Sequence, residues 1–179
     1  MNCWKSDLLG AMVYPGENSI FFYGGIFSQW HQNIFWSNLI NADVSSAEEA
    51  MMLYKASFFG DNESFDAIRV ASGNPKEQKR LGRLVRNYDE SKWDKERFRA
   101  VTEINYDKFS QNERLRELLL LTSSNELVEA SPVDRIWGIG MGIDNPNILN
   151  RMLWGQNLLG KAIVSARALI LDDKYNGKW

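Results

Sequence analysis

Apolar and polar positions divide the chain into two parts with different periods. Up to about Trp36, short apolar stretches alternate with turn residues: LLGAMVY, then PGEN, then SIFFYGG. This pattern predicts a hairpin or two short strands joined at Pro15-Gly16-Glu17-Asn18. From Ser45 onward the spacing is helical. In SSAEEAMMLYKASFFGD, Ala47, Ala50, Met51, Tyr54 and Phe58 form one apolar stripe, and Glu49 lies roughly opposite, where solvent is expected.

Gly60-Asp61-Asn62 closes that helix, SFDAIRVA predicts a short second one, and Gly73 ends it. Asn74-Pro75-Lys76-Glu77 is a helix start, with Asn as N-cap, Pro at the first helical position and Glu three residues after the cap. The helix that follows is basic. Lys79, Arg83 and Arg86 share one face, and Leu81, Leu84, Val85 and Tyr88 supply the apolar side. KWDKERFRAVTEINYDKF and NERLRELLLLTS predict two more helices, the second apolar enough to lie in the core, and ELVEAS is the one late strand. The loop SPVDRIWGIGMGIDNPN then precedes a final helix from about Asn157 to Leu171. The expected fold is mainly α: a compact multihelical domain with a small β element near the N-terminus. Residues 1–19 read as an N-terminal extension or first strand, 20–171 as the domain and 172–179 as a C-terminal tail.

Composition narrows the function. A chain of 179 residues suits one compact domain with a real core. A formal charge of −2 argues against broad, non-specific nucleic-acid binding, which needs many phosphate contacts. One cysteine, Cys3, and one histidine, His31, leave no His or Cys cluster for zinc, so neither a metal nor a cofactor is expected. The N-terminus lacks the apolar core of a signal peptide, and no apolar run is long enough for a membrane span, so a cytoplasmic protein is expected.

Four places could carry chemistry. Glu48 and Lys55, seven positions apart, stand within about 20° of each other around the helix axis, at the border of the apolar stripe. Ser45 to Glu48 and Ser46 to Glu49 both fit the capping-box spacing, so Glu48 has a purely structural reading, as Lys55 has in a snorkelling side chain. If Ser46 and Glu49 make the box, Glu48 is released from it, and the helix dipole favours its ionised form. Lys55 leans toward the helix N-terminus, so the pair can face one ligand from two sides. In the loop, Gly138, Gly140 and Gly142 lack the strand and helix of a dinucleotide fingerprint. They predict either a backbone that comes close to a ligand, with Asp134 and Trp137 beside it, or a plain turn with a surface Asp. Trp93 near a helix start reads as a core anchor or a base-stacking platform, and His31 as a packed or surface histidine. Gly82, between Lys79 and Arg83, leaves room for a phosphate near the backbone.

The segments FYGGIFSQW, SAEEAMMLYKA with Gly60-Asp61 after it, LGR at 81–83, WDKERFRAV, KFSQNERLRELLLLT, LVEASPVDRIWGIG and WGQNLLGKAI occur in order. In them, from about Phe21 to Leu171, the chain resembles the YbiA-like, or NADAR, family. The resemblance implies a compact helical YbiA-like fold and N-glycosidase activity on nucleotide-derived ribosides. It puts the family acid on Glu48, the family lysine on Lys55, the aromatic at a helix start on Trp93 and the acid before Trp-Gly on Asp134. Phe22, Tyr23, Arg83, Trp137, Gly138 and Asn157 are the implied substrate-binding positions. The chain departs from riboflavin-type members at Gln29, where they carry Asn, and at Glu49, where they carry His. Both departures border the implied pocket and bear on which substrate is used.

Breaking an N-glycosidic bond passes through an oxocarbenium-like sugar, which a carboxylate such as Glu48 can stabilise while guiding a water. Asp134 or a water would protonate the leaving base. Lys55 would hold a phosphate or, with a lowered pKa, form a Schiff base with the opened ribose. Three functions fit: an N-glycosidase acting on a small nucleotide-derived substrate, either a riboflavin-intermediate type or an ADP-ribose-linked riboside; a hydrolase removing ADP-ribose from modified guanine, with ADP-ribosylated nucleic acid as partner; and a non-catalytic ADP-ribose or NAD-binding module. No membrane partner is expected, and the sequence does not set the oligomeric state.

Overall fold

The residues Ser19-Ile20-Phe21-Phe22 are all buried and form β3 (Ser19–Phe22), a strand covered on both faces. In the computed structural model, which describes residues 4–6, 10–14 and 16–178, β3 has a neighbour on each side. On one side lie β2 (Ala11–Val13) and β1 (Trp4–Ser6), antiparallel in turn. On the other is β6 (Glu126–Glu129), parallel, with Phe21 opposite Val128. The hairpin expected around residues 15–18 is therefore present between β2 and β3, although Pro15 itself, like Cys3, lies outside the described residues.

A parallel pair requires a long crossover, and here the crossover holds a second unit. The chain divides into two compact units, residues 1–28 with 114–179, and residues 29–113, where one compact domain is expected from length alone. The reason is that the segment between β3 and β6 builds a core of its own.

In the first unit, Phe21, Val128, Ala130, Ile139, Met141 and Ile148 form a buried cluster. Tyr14 and Trp154 pack edge-on against Phe21, with ring centroids 5.6 and 5.8 Å away. α5 (Glu113–Leu120) buries only Leu115 and Leu119, so the expectation that this segment lies wholly in the core is corrected. α6 (Leu158–Tyr175) packs on β6 at Gly160, where a Cβ would stand 1.9 Å from the Leu127 carbonyl oxygen.

The second unit is helical around α1 (Ala47–Phe58), which packs against α2 (Asn62–Val70), α3 (Pro75–Gly82) and α4 (Glu90–Ser110). The helices start on Ser46, Asp61, Asn74 and Asp89, whose side chains accept backbone N–H groups of the first turn; Ser46 and Asn74 are the expected starts, whereas α2 and α4 each begin two residues ahead of the SFDAIRVA and KWDKERF segments that predicted them. α3 ends at Gly82, so Arg86 does not share a helix face with Lys79. Arg86 instead binds Asp61 through its Nη2 at 2.7 Å and its backbone N–H at 2.8 Å, which holds the Asp61 carboxyl well below the usual range. The hairpin of β4 (Phe35–Ser37) and β5 (Ala42–Val44) closes the unit. It is tied to α4 by Asp107, which accepts from the Asn38 backbone at 2.8 Å and from its side-chain amide at 2.6 Å.

Rigid backbone opposite Gly160 yields a direct test. Gly160→Ala is expected to lower the unfolding free energy by about 3 kcal/mol, because α6 must move off β6. Gly142→Ala, whose added Cβ meets only the Pro132 Cβ at 3.7 Å, is the tolerated control in urea denaturation.

Candidate active site

The first turn of α1 separates the two glutamates of the Glu48-Glu49 pair. Ser46 Oγ accepts the Glu49 backbone N–H at 3.2 Å. The Glu49 carboxylate accepts from the Ser45 backbone at 2.9 Å, from the Ser45 hydroxyl, from Ser72 Oγ at 2.9 Å and from Arg69 at 3.4 Å. This is the Ser46–Glu49 capping box with its return bond one residue further out. Glu49 is fully buried, which corrects its expected place in solvent. With α2, α3 and α4 around it, α1 is buried on all sides through Leu53, and a carboxylate survives there only with this many donors.

Glu48 is thus left out of the box. It is 2% exposed, and its backbone N–H donates to the Gln29 carbonyl at 2.9 Å. The Gln29 side chain is buried beside it and accepts at Oε1 from Asn105 Nδ2 at 3.2 Å. Asn105 Nδ2 also donates to the Val101 carbonyl at 2.8 Å. Gln29 Nε2 and Asn105 Oδ1 are buried without a hydrogen bond, leaving one donor and one acceptor unused. A hydroxyl group, which both accepts and donates, satisfies such a pair.

Sequence reasoning missed Asn105 and, one turn further along α4, Lys108. The signal was available: both fall on the buried face of α4 with Val101 and Ile104. Lys108 is fully buried, and burial pushes its ammonium down to about 7. His31, half-buried, is lowered first by burial and then by the charge of Lys108, in keeping with a packed histidine.

Lys55 does not lean back toward Glu48, as its helix position suggested. Its Nζ donates to the Gly82 carbonyl at 2.8 Å, closing the end of α3, and lies 4.2 Å from the centre of the Tyr88 ring. Burial and then the charge of Arg83 lower its pKa. Lys55 and exposed Arg83 are therefore neighbours, whereas Lys55 and Glu48 are separated by about 10 Å of helix rise. Gly82 has a packing role: an added Cβ would stand 2.0 Å from Met52 Sδ, so its missing side chain admits α1 rather than a phosphate. Trp93 is 6% exposed and packs among Tyr54, Phe58 and Phe59 at centroid distances of 6.4, 6.1 and 6.3 Å, the arrangement of a core anchor. Tyr54 adds a polar edge, donating to Glu96 at 2.7 Å and accepting from Arg99 at 2.9 Å.

The remaining candidates belong to the first unit. Asp134 Oδ1 accepts the backbone N–H groups of Ile136 and Trp137 at 2.9 and 2.8 Å, bracing a turn. Gly138 is closely packed where a side chain would stand: a Cβ there would meet the Glu129 carbonyl oxygen at 2.8 Å. The loop backbone also bonds to its own chain. Ile139 N–H donates to the Glu129 carbonyl at 2.9 Å, and Asn157 N–H to the Gly138 carbonyl at 3.3 Å. Asn157, implied as substrate-binding, is buried in a left-handed conformation with both side-chain polar atoms committed, Oδ1 to Glu129 N–H and Nδ2 to the Leu127 carbonyl, each at 2.9 Å. Phe22, likewise implied, is fully buried and packs against Phe27. Tyr23 is 58% exposed and Trp137 half-buried. Among the described residues, no group of three His, Cys, Asp or Glu is placed to hold a metal, and no helix is long and apolar enough to cross a membrane.

A mainly helical fold with short strands, and a buried acid on the first turn of its central helix, define the class. The NMR structure of the Escherichia coli protein YbiA shares the fold, with a TM-score of 0.70 at 24% identity over 89% of each chain. Residues 21–171 match the NADAR domain, and the chain belongs to the NADAR family. It is 42% identical over 163 residues to N-glycosidase R617 of Acanthamoeba polyphaga mimivirus, covering 84% of this chain and 95% of that protein. It is 34% identical over 97 residues to N-glycosidase Npun_R5314 of Nostoc punctiforme, covering 54% of this chain and 56% of that one. These relatives make the chain an enzyme of the N-glycosidase class.

Lys108 gives a pH signature. With the folded value near 7 and the unfolded one at 10.5, the unfolded chain holds the extra proton between them, so stability rises with pH across that window. Wild type is expected to gain up to about 1.4 kcal/mol per pH unit relative to Lys108→Met between pH 7 and 10, measured by urea unfolding.

Proposed function

We propose that the protein hydrolyses the bond between base and ribose in a small nucleotide-derived riboside, with Glu48 as the carboxylate that carries the step. The observation behind this reading is the division of labour on α1: Glu49 takes over the cap, and Glu48 is buried with its backbone on Gln29, whose side chain and that of Asn105 keep an unused donor and acceptor. In the reaction, the bond from the anomeric carbon to the base nitrogen breaks with its electron pair going to the base. Positive charge develops on the sugar, where an ionised Glu48 stabilises it and directs a water to the same carbon. The proton lost by that water ends on the base by way of solvent. Gln29 and Asn105 are suited to the ribose hydroxyls, since each hydroxyl can accept from one amide and donate to the other.

Lys55 and Arg83 supply adjacent positive charge for a phosphate of the substrate. The lowered pKa of Lys55 favours a second role, as a neutral amine that condenses with the opened ribose aldehyde and releases water. ADP-ribosylated guanine in nucleic acid is the less favoured substrate, because the chain carries a net −2 charge and nucleic-acid affinity rests on many cationic contacts.

Incubation with a riboflavin intermediate, NAD, ADP-ribose and an ADP-ribosylated guanine oligonucleotide, with mass spectrometric detection, tests the reading. Release of free base from a small riboside is expected; release from the oligonucleotide alone would overturn the substrate assignment. Borohydride added during turnover is expected to leave a reduced sugar adduct on Lys55 if the amine forms a Schiff base, and none if it only holds phosphate.

A further inference from the structure

A cavity of about 370 Å³ in the first unit lies apart in sequence from every residue assigned to the glycosidic reaction. Lys161, Ser165 and Arg167 of α6 form part of its wall, and Asn18, Ser124 and Glu126 another part. Its volume falls within the range of small-ligand pockets.

Arg167 is the feature that requires an explanation. The residue is only 6% exposed, and its guanidinium donates to one neutral atom, Thr122 Oγ1, at 2.5 Å. Thr122 has committed its own hydroxyl proton to the Leu119 carbonyl at 2.6 Å, so it serves Arg167 purely as an acceptor. No carboxylate pairs with Arg167 among the described residues, and burial alone lowers its pKa. A buried guanidinium ordinarily recovers its lost hydration from an anion held in a fork of N–H donors. The one acid in the cavity wall among the described residues, Glu126, pairs elsewhere through Oε2, which accepts from Arg151 at 2.7 Å and from Ser19 at 3.2 Å. Of the cavity's other polar groups, Asn18 and Asn125 are joined to each other at 2.9 Å, while Lys161 is exposed with its charge available.

We infer that this cavity is a binding site for a phosphate-bearing anion, held by Arg167 from within and Lys161 from the rim, with the hydroxyls of Ser124 and Ser165 as further donors. A cation with one neutral partner, a second cation and two hydroxyls around a cavity match the tetrahedral oxygens of a phosphate. The inference does not depend on Glu48 carrying the glycosidic step, and its test involves no turnover.

Titration of the full ¹⁵N-labelled chain with inorganic phosphate, pyrophosphate and ADP at constant ionic strength reads the site through the amides of Ser124, Lys161 and Ser165. Saturable shifts at these amides are expected, with Lys161→Ala raising the dissociation constant about fivefold and Lys161→Glu more than about tenfold. Binding of ADP tighter than that of pyrophosphate supports the site with a nucleotide as source; equal binding supports it with a free oxyanion. Arg167→Gln is expected to abolish the shifts, and the exposed Lys161 variants carry the test if that protein does not fold. Shifts that do not saturate, or a dissociation constant unchanged in both Lys161 variants, would overturn the inference.

Discussion

The carboxylate of Glu49 is the constraint on which the first turn of α1 depends. Fully buried, it gathers Ser45, Ser72 and Arg69, and Ser45 Oγ in turn accepts the backbone N–H of Gly73 at 3.0 Å. One side chain thereby joins the start of α1 to the end of α2. An ionised group in such a place is costly unless every oxygen is donated to, and here the donors are backbone, hydroxyls and a guanidinium. That capping work falls to Glu49 and not to Glu48. The catalytic proposal for Glu48 follows from this division and not from burial alone.

Gln29, before the β4–β5 hairpin, links two helices: its carbonyl accepts the Glu48 N–H of α1 and its side chain accepts from Asn105 of α4. This link requires α1 to pack against α4, and the buried apolar face of α4, Val101 and Ile104 among it, supplies the burial that holds the helix there. Lys108 makes the same face carry a buried amine whose charge is lost near neutral pH. The unused valences of Gln29 and Asn105 are the kind of local cost that a binding site retains and a plain core removes.

The start of α3 was legible in the sequence because a cap is a local device. Asn74, Pro75 and Glu77 announce α3 within four residues, and the structure places the Glu77 N–H on Asn74 at 3.2 Å. Strand β6 and the final helix were legible for a similar reason, a period carried by consecutive residues. The place of Glu49 was not. Periodicity reports which side of a helix is apolar, and it puts Glu49 on the polar side, but a central helix surrounded by three others is buried there too. Motif residues pose the opposite difficulty. Asn157, Gly138 and Phe22 sit in stretches that resemble a family site, yet their atoms are spent on β6, on the loop's own backbone and on the core. A motif marks positions that matter without saying whether ligand or fold requires them.

The separation of Glu48 from Glu49 is tested most directly by the single-turnover rate of the folded Glu48→Gln protein on a riboside that wild type cleaves, measured beside Glu49→Gln. Removing the charge at Glu48 is expected to slow cleavage by about a hundredfold or more while leaving the unfolding free energy within about 1 kcal/mol of wild type. Glu49→Gln is expected to lose about 2 kcal/mol of stability, because an amide must face hydroxyls and an arginine arranged for a carboxylate, while its folded fraction still turns over. Near-normal turnover in Glu48→Gln would contradict the account and remove Glu48 from the chemistry.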